Sequence, residues 1–169
     1  MLSPGQVLDD RYEILALLAE GGMGAVYRAR RTLLGDEVAI KIVRGEHSGS
    51  GPRDRFFRES RASARLRHPH IVSILDFNVD DEDHPFLVME LLNGPSLKDE
   101  IHQRRRLTLA DVQTIIPGLC TALQFAHDLG IVHRDLKPAN IVSHEFAPGQ
   151  RIYKIADFGL ANLRDTEEP

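Results

Sequence analysis

The stretch 133–140, HRDLKPAN, followed by IVS at 141–143 and RIYKIADFG at 151–159, decides how the chain is read. Asp135 is suited to accept a proton from an attacking hydroxyl, Lys137 to neutralise a transferring phosphoryl group, and Asn140 to hold a metal ion by its amide oxygen. A Pro-Gly turn between IVS and RIYKI predicts a hairpin whose two ends carry Asn140 and Asp157. Pairing those ends sets an amide oxygen beside a carboxylate, as Mg2+ bridging phosphates requires. Gly159, after Phe158, adds backbone freedom. An Asp-Phe-Gly triplet by itself is an ordinary turn; its weight here comes from following HRDLKPAN in this order.

Working toward the N-terminus, YEILALLA (12–19), AVYRARR (25–31) and EVAIKIV (37–43) read as an antiparallel meander. Its first turn, EGGMG (20–24), carries Gly21, Gly22 and Gly24, whose missing Cβ atoms let backbone N–H groups approach a phosphate. Taken alone, such a turn is better explained by hairpin geometry. It joins two strands and opens no helix, which excludes a dinucleotide-binding loop. Ala39 and Lys41, two apart, share a strand face: Ala39 is small enough for a flat base to pass, and Lys41 offers a point charge to phosphate oxygens. Standing between Ile40 and Ile42, Lys41 needs a counter-charge. The helical stretch 53–67 turns Phe56, Glu59, Ala62, Ser63 and Leu66 to one sector, so Glu59 is the expected partner. Arg58, Arg61 and Arg65 fall on another face and read as solvated.

Two further strands fit VSILDFN (72–78) and PFLVMEL (85–91), joined by an acidic loop that lacks the glycine and distal glutamate of a calcium loop. After Asn93 and Gly94 the pattern turns helical, with apolar positions at Val112, Ile115, Ile116, Leu119, Leu123 and Ala126 behind a capping box of Thr108 and Asp111. Pro117 predicts a kink or break. Cys120 reads as a small core residue, and His68 and His70 as structural residues with no ligand spacing.

The chain has 169 residues, 42% hydrophobic and 27% charged, enough for a core without disulfides and compatible with two small lobes. Its formal net charge of −4 argues against a nucleic-acid or anionic-membrane partner. No apolar run approaches the roughly 18 residues of a membrane helix, and the start lacks a signal-peptide pattern. A reducing cytoplasm is the expected setting.

Taken together, the glycine loop, VAIK, the helix glutamate, HRDLKPAN and DFG stand in the order of the protein kinases, and the chain resembles the eukaryotic-like Ser/Thr protein kinases of bacteria from Tyr12 to about Asn162. The resemblance implies an α+β, protein-kinase-like fold: a complete antiparallel β-rich N-lobe with one helix, residues 1–92 with the hinge, and the first part of a helical C-lobe, residues 93–169. It implies ATP and Mg2+ as cofactors and a protein Ser/Thr hydroxyl as substrate. Leu18, Gly21, Gly22, Met23, Gly24 and Val26 would cover the nucleotide, Ala39 and Val142 would sandwich its base, and Met89, Glu90 and Leu92 would form the gatekeeper and hinge. Lys41 would bind phosphates and pair with Glu59, Asp135 and Lys137 would serve the transfer, and Asn140 and Asp157 would hold magnesium. Arg134 implies control by a phosphorylated activation loop. The residues after Leu136 resemble the Ser/Thr class, and Leu160 suggests serine over threonine.

Two departures stand out. Ala19 replaces the family's first loop glycine, which implies slightly weaker nucleotide binding. The sequence ends at Pro169, shortly after DFG, so the 169 residues alone are expected to be weakly active or inactive, and marginally soluble through an exposed face at 112–123. The alternative reading is a non-catalytic ATP-binding or protein-interaction module.

Overall fold

The structure, a computed structural model, describes residues 2–21, 24–43, 50–80 and 82–158. The chain divides into two compact units: Met1–Ala64 with Ile74–Leu91, and Arg65–Ser73 with Leu92–Pro169.

The first unit is a six-stranded antiparallel sheet with one helix. Its elements are β1 (Val7–Leu8), β2 (Tyr12–Gly21), β3 (Gly24–Arg31), β4 (Glu37–Val43), α1 (Ser50–Ser63), β5 (Ile74–Val79) and β6 (Pro85–Glu90). The strand order is β1-β2-β3-β4-β6-β5. The meander and the later hairpin stand where the sequence puts them; β1 is an addition the pattern does not announce. The period of two divides the sheet into faces. Ala25, Tyr27 and Ala29 on β3, Val38 and Ile40 on β4, and Phe86 and Val88 on β6 join Leu8, Tyr12 and Ile14 in one core. The sheet curls until its ends meet: the Tyr12 hydroxyl donates to Asp76 on β5 at 2.8 Å, and Arg11 pairs with the same carboxylate. Burial and the acceptance of that hydrogen by Asp76 push the Tyr12 phenol up to about 12.

The second unit holds α2 (Leu97–Arg104), α3 (Leu109–Asp128), a short 3-10 turn (Pro138–Asn140), β7 (Ile141–Ala147) and β8 (Gln150–Ile155). The expected hairpin forms, in the register Ile141↔Ile155. The Thr108–Asp111 capping box is present, and Arg104 closes on Asp111 at 2.6 Å.

Three expectations need correction. The helix expected over 53–67 ends at Ser63, and residues 65–73 belong to the second unit, so the division is not a single cut at residue 92. The physical reason is burial: Leu66 and Ile71 sink into the core formed by Leu97, Ile115, Leu119, Ala122, Ala126, Ile141, Ile155 and Phe158. Backbone bonds seal the segment there, Val72 N–H to Ile155 C=O at 2.9 Å and Ile155 N–H to His70 C=O at 2.8 Å. His68 and His70 are structural within it; His70 Nδ1 lies 2.8 Å from the Tyr153 carbonyl.

Secondly, of the kink or break expected at Pro117, the break is not found: α3 runs through it. The carbonyl that proline leaves without a helical donor is that of Gln113, which is exposed, so water can satisfy it. Thirdly, Cys120 is exposed. The buried residues Ile115, Leu119, Ala122 and Ala126 span a sector of about 60° at about 100° per residue, and Cys120 lies about 100° beyond its edge. The same narrow stripe leaves Val112 and Ile116 exposed and Leu123 half-buried, so only part of the apolar repeat is core and the exposed face expected at 112–123 is present. Among the described residues no helix is long and apolar enough to cross a membrane.

Candidate functional site

In the first unit the candidate residues line the sheet face opposite the core. The registers Val26↔Lys41↔Leu87 and Arg28↔Ala39↔Met89 run straight across β3, β4 and β6, so Val26, Ala39, Lys41 and Met89 point the same way. Ala39 and Met89 give this face a small, apolar floor, both buried, and Lys41 is 4% exposed. Lys41 is itself partnered. Glu59 is half-buried on α1, but the ion pair it makes is with Arg55 at 3.6 Å. That corrects the Lys41–Glu59 pair expected from the sequence: Arg55 sits one turn away on the same helix, so the local pair needs little ordering.

At the sheet's end, Gly21 and Gly24 face each other across β2 and β3, with Gly24 at φ +133°. No side chain adopts that conformation without strain. A bulge between Leu17 and Ala19 makes Leu18 the extra residue and leaves it half-exposed beside this turn. Gly22, Met23, Gly159 and Leu160 lie outside the described residues. Glu90, half-buried, ends β6 opposite Val38.

In the second unit the geometry is held by side chain to backbone bonds. His133, 2% exposed, accepts the Asp135 N–H at Nδ1 (3.2 Å), so its proton resides on Nε2 and is donated to the Ala156 carbonyl at 2.8 Å. Its ring meets Phe158 edge-on at 4.7 Å. Ala156 in turn donates its N–H to the Asn140 carbonyl at 2.8 Å. Ala156, the residue that precedes Asp157, is therefore fixed through both of its backbone groups, its carbonyl to the 133–135 loop and its N–H to the turn that carries Asn140. Arg134 and Asp157 both take positive φ, +63° and +64°, left-handed conformations that other residues than glycine adopt at about 1–2 kcal/mol.

Within this frame the Lys137 ammonium donates to Asp135 Oδ2 at 2.8 Å. The Asn140 amide, on a residue 6% exposed, donates to the Asp135 carbonyl at 2.9 Å and points also at Asp135 Oδ2, 3.4 Å away. The nitrogen of the amide is spent there, which makes the oxygen the end available to a cation. Asp135, Lys137 and Asn140 are thus brought together on one loop. Val142 lies on β7 opposite Lys154, half-buried, and Leu92 is half-buried at the start of the segment leading to α2. Sequence reasoning missed the tether role of His133. Its signal was available in the spacing, since a histidine two residues before Asp135 can reach that residue's own N–H.

The Protein kinase domain family matches residues 12–169. The chain is 39% identical over 159 residues to the probable serine/threonine-protein kinase PknB of Corynebacterium glutamicum, covering 92% of this chain and 24% of that protein. It is 41% identical over 166 residues to the DNA damage-responsive serine/threonine-protein kinase RqkA of Deinococcus radiodurans, covering 97% of this chain and 24% of that one. The chain thus spans about a quarter of the length of these curated relatives. Among solved structures, the PknI kinase domain of Mycobacterium tuberculosis superposes with a TM-score of 0.81 at 29% identity, over 94% of this chain and 63% of that one.

Proposed function

The chain belongs to the protein kinase family, and from that premise we propose that the protein moves the γ-phosphoryl group of ATP onto serine and threonine hydroxyls of protein substrates. The observation that carries the reading is the Asp135–Lys137–Asn140 cluster, a carboxylate, an ammonium 2.8 Å from it and an oriented amide on one tethered loop. Asp135 orients the substrate hydroxyl and receives its proton as the oxygen attacks. Lys137, already beside that carboxylate, places positive charge where the transferring phosphoryl spreads its negative charge. On the other unit, Lys41 binds phosphate oxygens, and Ala39, Met89 and Val26 give the base an apolar wall. Leu18, Gly21 and Gly24 would lie over the phosphates, and Glu90, Leu92 and Val142 would meet the base.

The residues fit a magnesium ion. Asn140 has its nitrogen committed to Asp135, leaving an amide oxygen, and Asp157 follows an anchored peptide; such a sparse pair of oxygen donors suits a cation that keeps phosphates and waters in its shell. Those two residues would hold it, and the ion would neutralise charge on the phosphates. A cytoplasmic, ATP-rich setting is part of the same proposal.

The test is transfer of labelled γ-phosphate from Mg-ATP to casein or to the protein itself, followed by identification of the modified residue. Phosphoserine and phosphothreonine are expected. Nucleotide binding without transfer would favour the non-catalytic module, and phosphotyrosine alone would overturn the substrate class.

A further inference from the structure

We infer that Asn93 is a positioning residue for the nucleotide, acting as a substitute peptide group that fastens the segment between β6 and α2 to β7. The inference rests on the kinase reading, because it concerns the subsite formed by Leu92 and Val142. One edge of β7 is taken by β8. The other is taken, in stages, by residues 93–96, which form no regular strand. The Asn93 side chain donates through Nδ2 to the Glu145 carbonyl and accepts the Glu145 N–H on Oδ1, both at 2.9 Å. This is the two-bond exchange that a backbone residue makes with its partner in an antiparallel ladder. Pro95 then receives the Ser143 N–H at 3.0 Å and the Ser143 hydroxyl at 3.1 Å on its carbonyl. Ser96 pairs with Val142 as an antiparallel bridge.

The order of the contacts explains why a side chain is needed. Between Asn93 and Pro95 the backbone at Gly94 passes so close to Ser143 that a Cβ there would stand 2.2 Å from its hydroxyl and 2.6 Å from its carbonyl oxygen. Proline at 95 has no N–H to give. The segment therefore has no ladder donor at position 95, and the planar amide of Asn93 supplies both a donor and an acceptor at the free end. Releasing it would leave the residues preceding Pro95 held only from one side. Leu92 directly precedes the clamp, and Val142 lies inside it. Asn93 thus sets the position of Leu92 relative to Val142, the two residues of this unit assigned to the base, without touching the nucleotide.

The experiment compares the full-length protein with Asn93→Ala and Asn93→Asp in steady-state transfer at varied Mg-ATP, alongside calorimetric binding of Mg-ATP. Two hydrogen bonds of ordinary net strength imply a rise of about five- to tenfold in KM and Kd for Asn93→Ala, with kcat within about twofold. Asn93→Asp keeps the acceptor for Glu145 N–H but sets a carboxylate against the Glu145 carbonyl, so it is expected to restore little. Asn93→His, with one ring donor and one ring acceptor, is expected to recover part of the affinity. A lowered melting temperature with KM and Kd unchanged would show a purely structural role and overturn the inference. So would a fall in kcat at constant KM. Wild-type protein that binds no Mg-ATP would instead overturn the kinase reading itself, and the inference with it.

Discussion

The two units present their functional side chains by opposite means. In the first, Val26, Ala39, Lys41 and Met89 are aligned by strand register: the core packs on the other face of the sheet, and every second residue is delivered to the functional face. In the second, the 133–140 loop has no repeating structure to align it. His133, Ala156 and Asn140 hold it by individually directed hydrogen bonds, around two residues at positive φ. Substitutions on the sheet face should therefore separate stability from activity, whereas substitutions in the loop frame should damage both. Every variant is to be assayed in the full-length protein.

The largest effect is expected at Asp135, where the loop does its chemistry. Asp135→Asn keeps size and the contact with Lys137 within reach but cannot take a proton, so transfer should fall by roughly a thousandfold. Calorimetric affinity for Mg-ATP should change less than about twofold. Transfer at near wild-type rate would remove the chemical distinction between the two units.

Next comes Lys41→Met, the sheet-face counterpart. Methionine refills most of the buried aliphatic volume, so the melting transition should shift by no more than about 1 kcal/mol in stability, while transfer falls about a hundredfold with the lost phosphate contact. Cooperative melting retained beside lost activity is the signature to look for. If stability collapses with activity, the sheet face is no more separable than the loop.

His133→Ala should show the opposite behaviour. It deletes two hydrogen bonds and an edge-on aromatic contact at a buried site, a loss of about 3 kcal/mol, and it frees the Asp135 N–H together with the peptide before Asp157. Chemical denaturation and transfer should both be impaired, transfer by some tens of fold even where the protein remains folded. Unchanged kcat in a destabilised but folded variant would show that the tether serves stability alone.

These contrasts also explain how far the sequence could be read. The meander, the β7–β8 hairpin and the shared face of Ala39 and Lys41 follow from alternation and turn residues, because a strand's geometry repeats and needs no partner to be specified. The capping box of α3 was legible for the same reason, being local. The pairing of Glu59 was not: helical phase shows that it turns inward but cannot rank Arg55 on its own helix against Lys41 on a strand. The exposure of Cys120 could have been read from phase, since it lies about 100° beyond the buried sector, but that of Ile116, inside the apolar arc, depends on what packs nearby. Asp135, Lys137 and Asn140 were legible as chemistry, through their residue types and spacing. The frame around them was not, because Ala156 takes part only through its backbone, which no side chain advertises. Residues 65–73 were assigned to the wrong unit because Leu66 fits an inward helical sector as well as it fits a second core.

The smallest effects are electrostatic, and they probe the two units from opposite ends of the pH scale. In the second unit, Arg104 and the Thr108 N–H and hydroxyl hold the Asp111 carboxyl down at about 2, from an ordinary 3.8. A lowered folded-state value means that the contribution is present above about pH 4 and is lost as pH falls through about 2. In the first unit, burial and Asp76 hold the Tyr12 phenol up at about 12, from 10.0. A raised value means that the contribution is complete below pH 10 and is lost as pH rises through about 12. Denaturant midpoints measured across both ranges should therefore flatten at the acid end in Asp111→Asn and at the alkaline end in Tyr12→Phe, each variant leaving the other end alone. Asp111 lies at the surface, so its share is small and should shrink further in high salt. If Asp111→Asn flattened the alkaline end as well, the two units would be titrating as one cooperative body, and the separation of stability from activity expected at Lys41 would lose its structural basis.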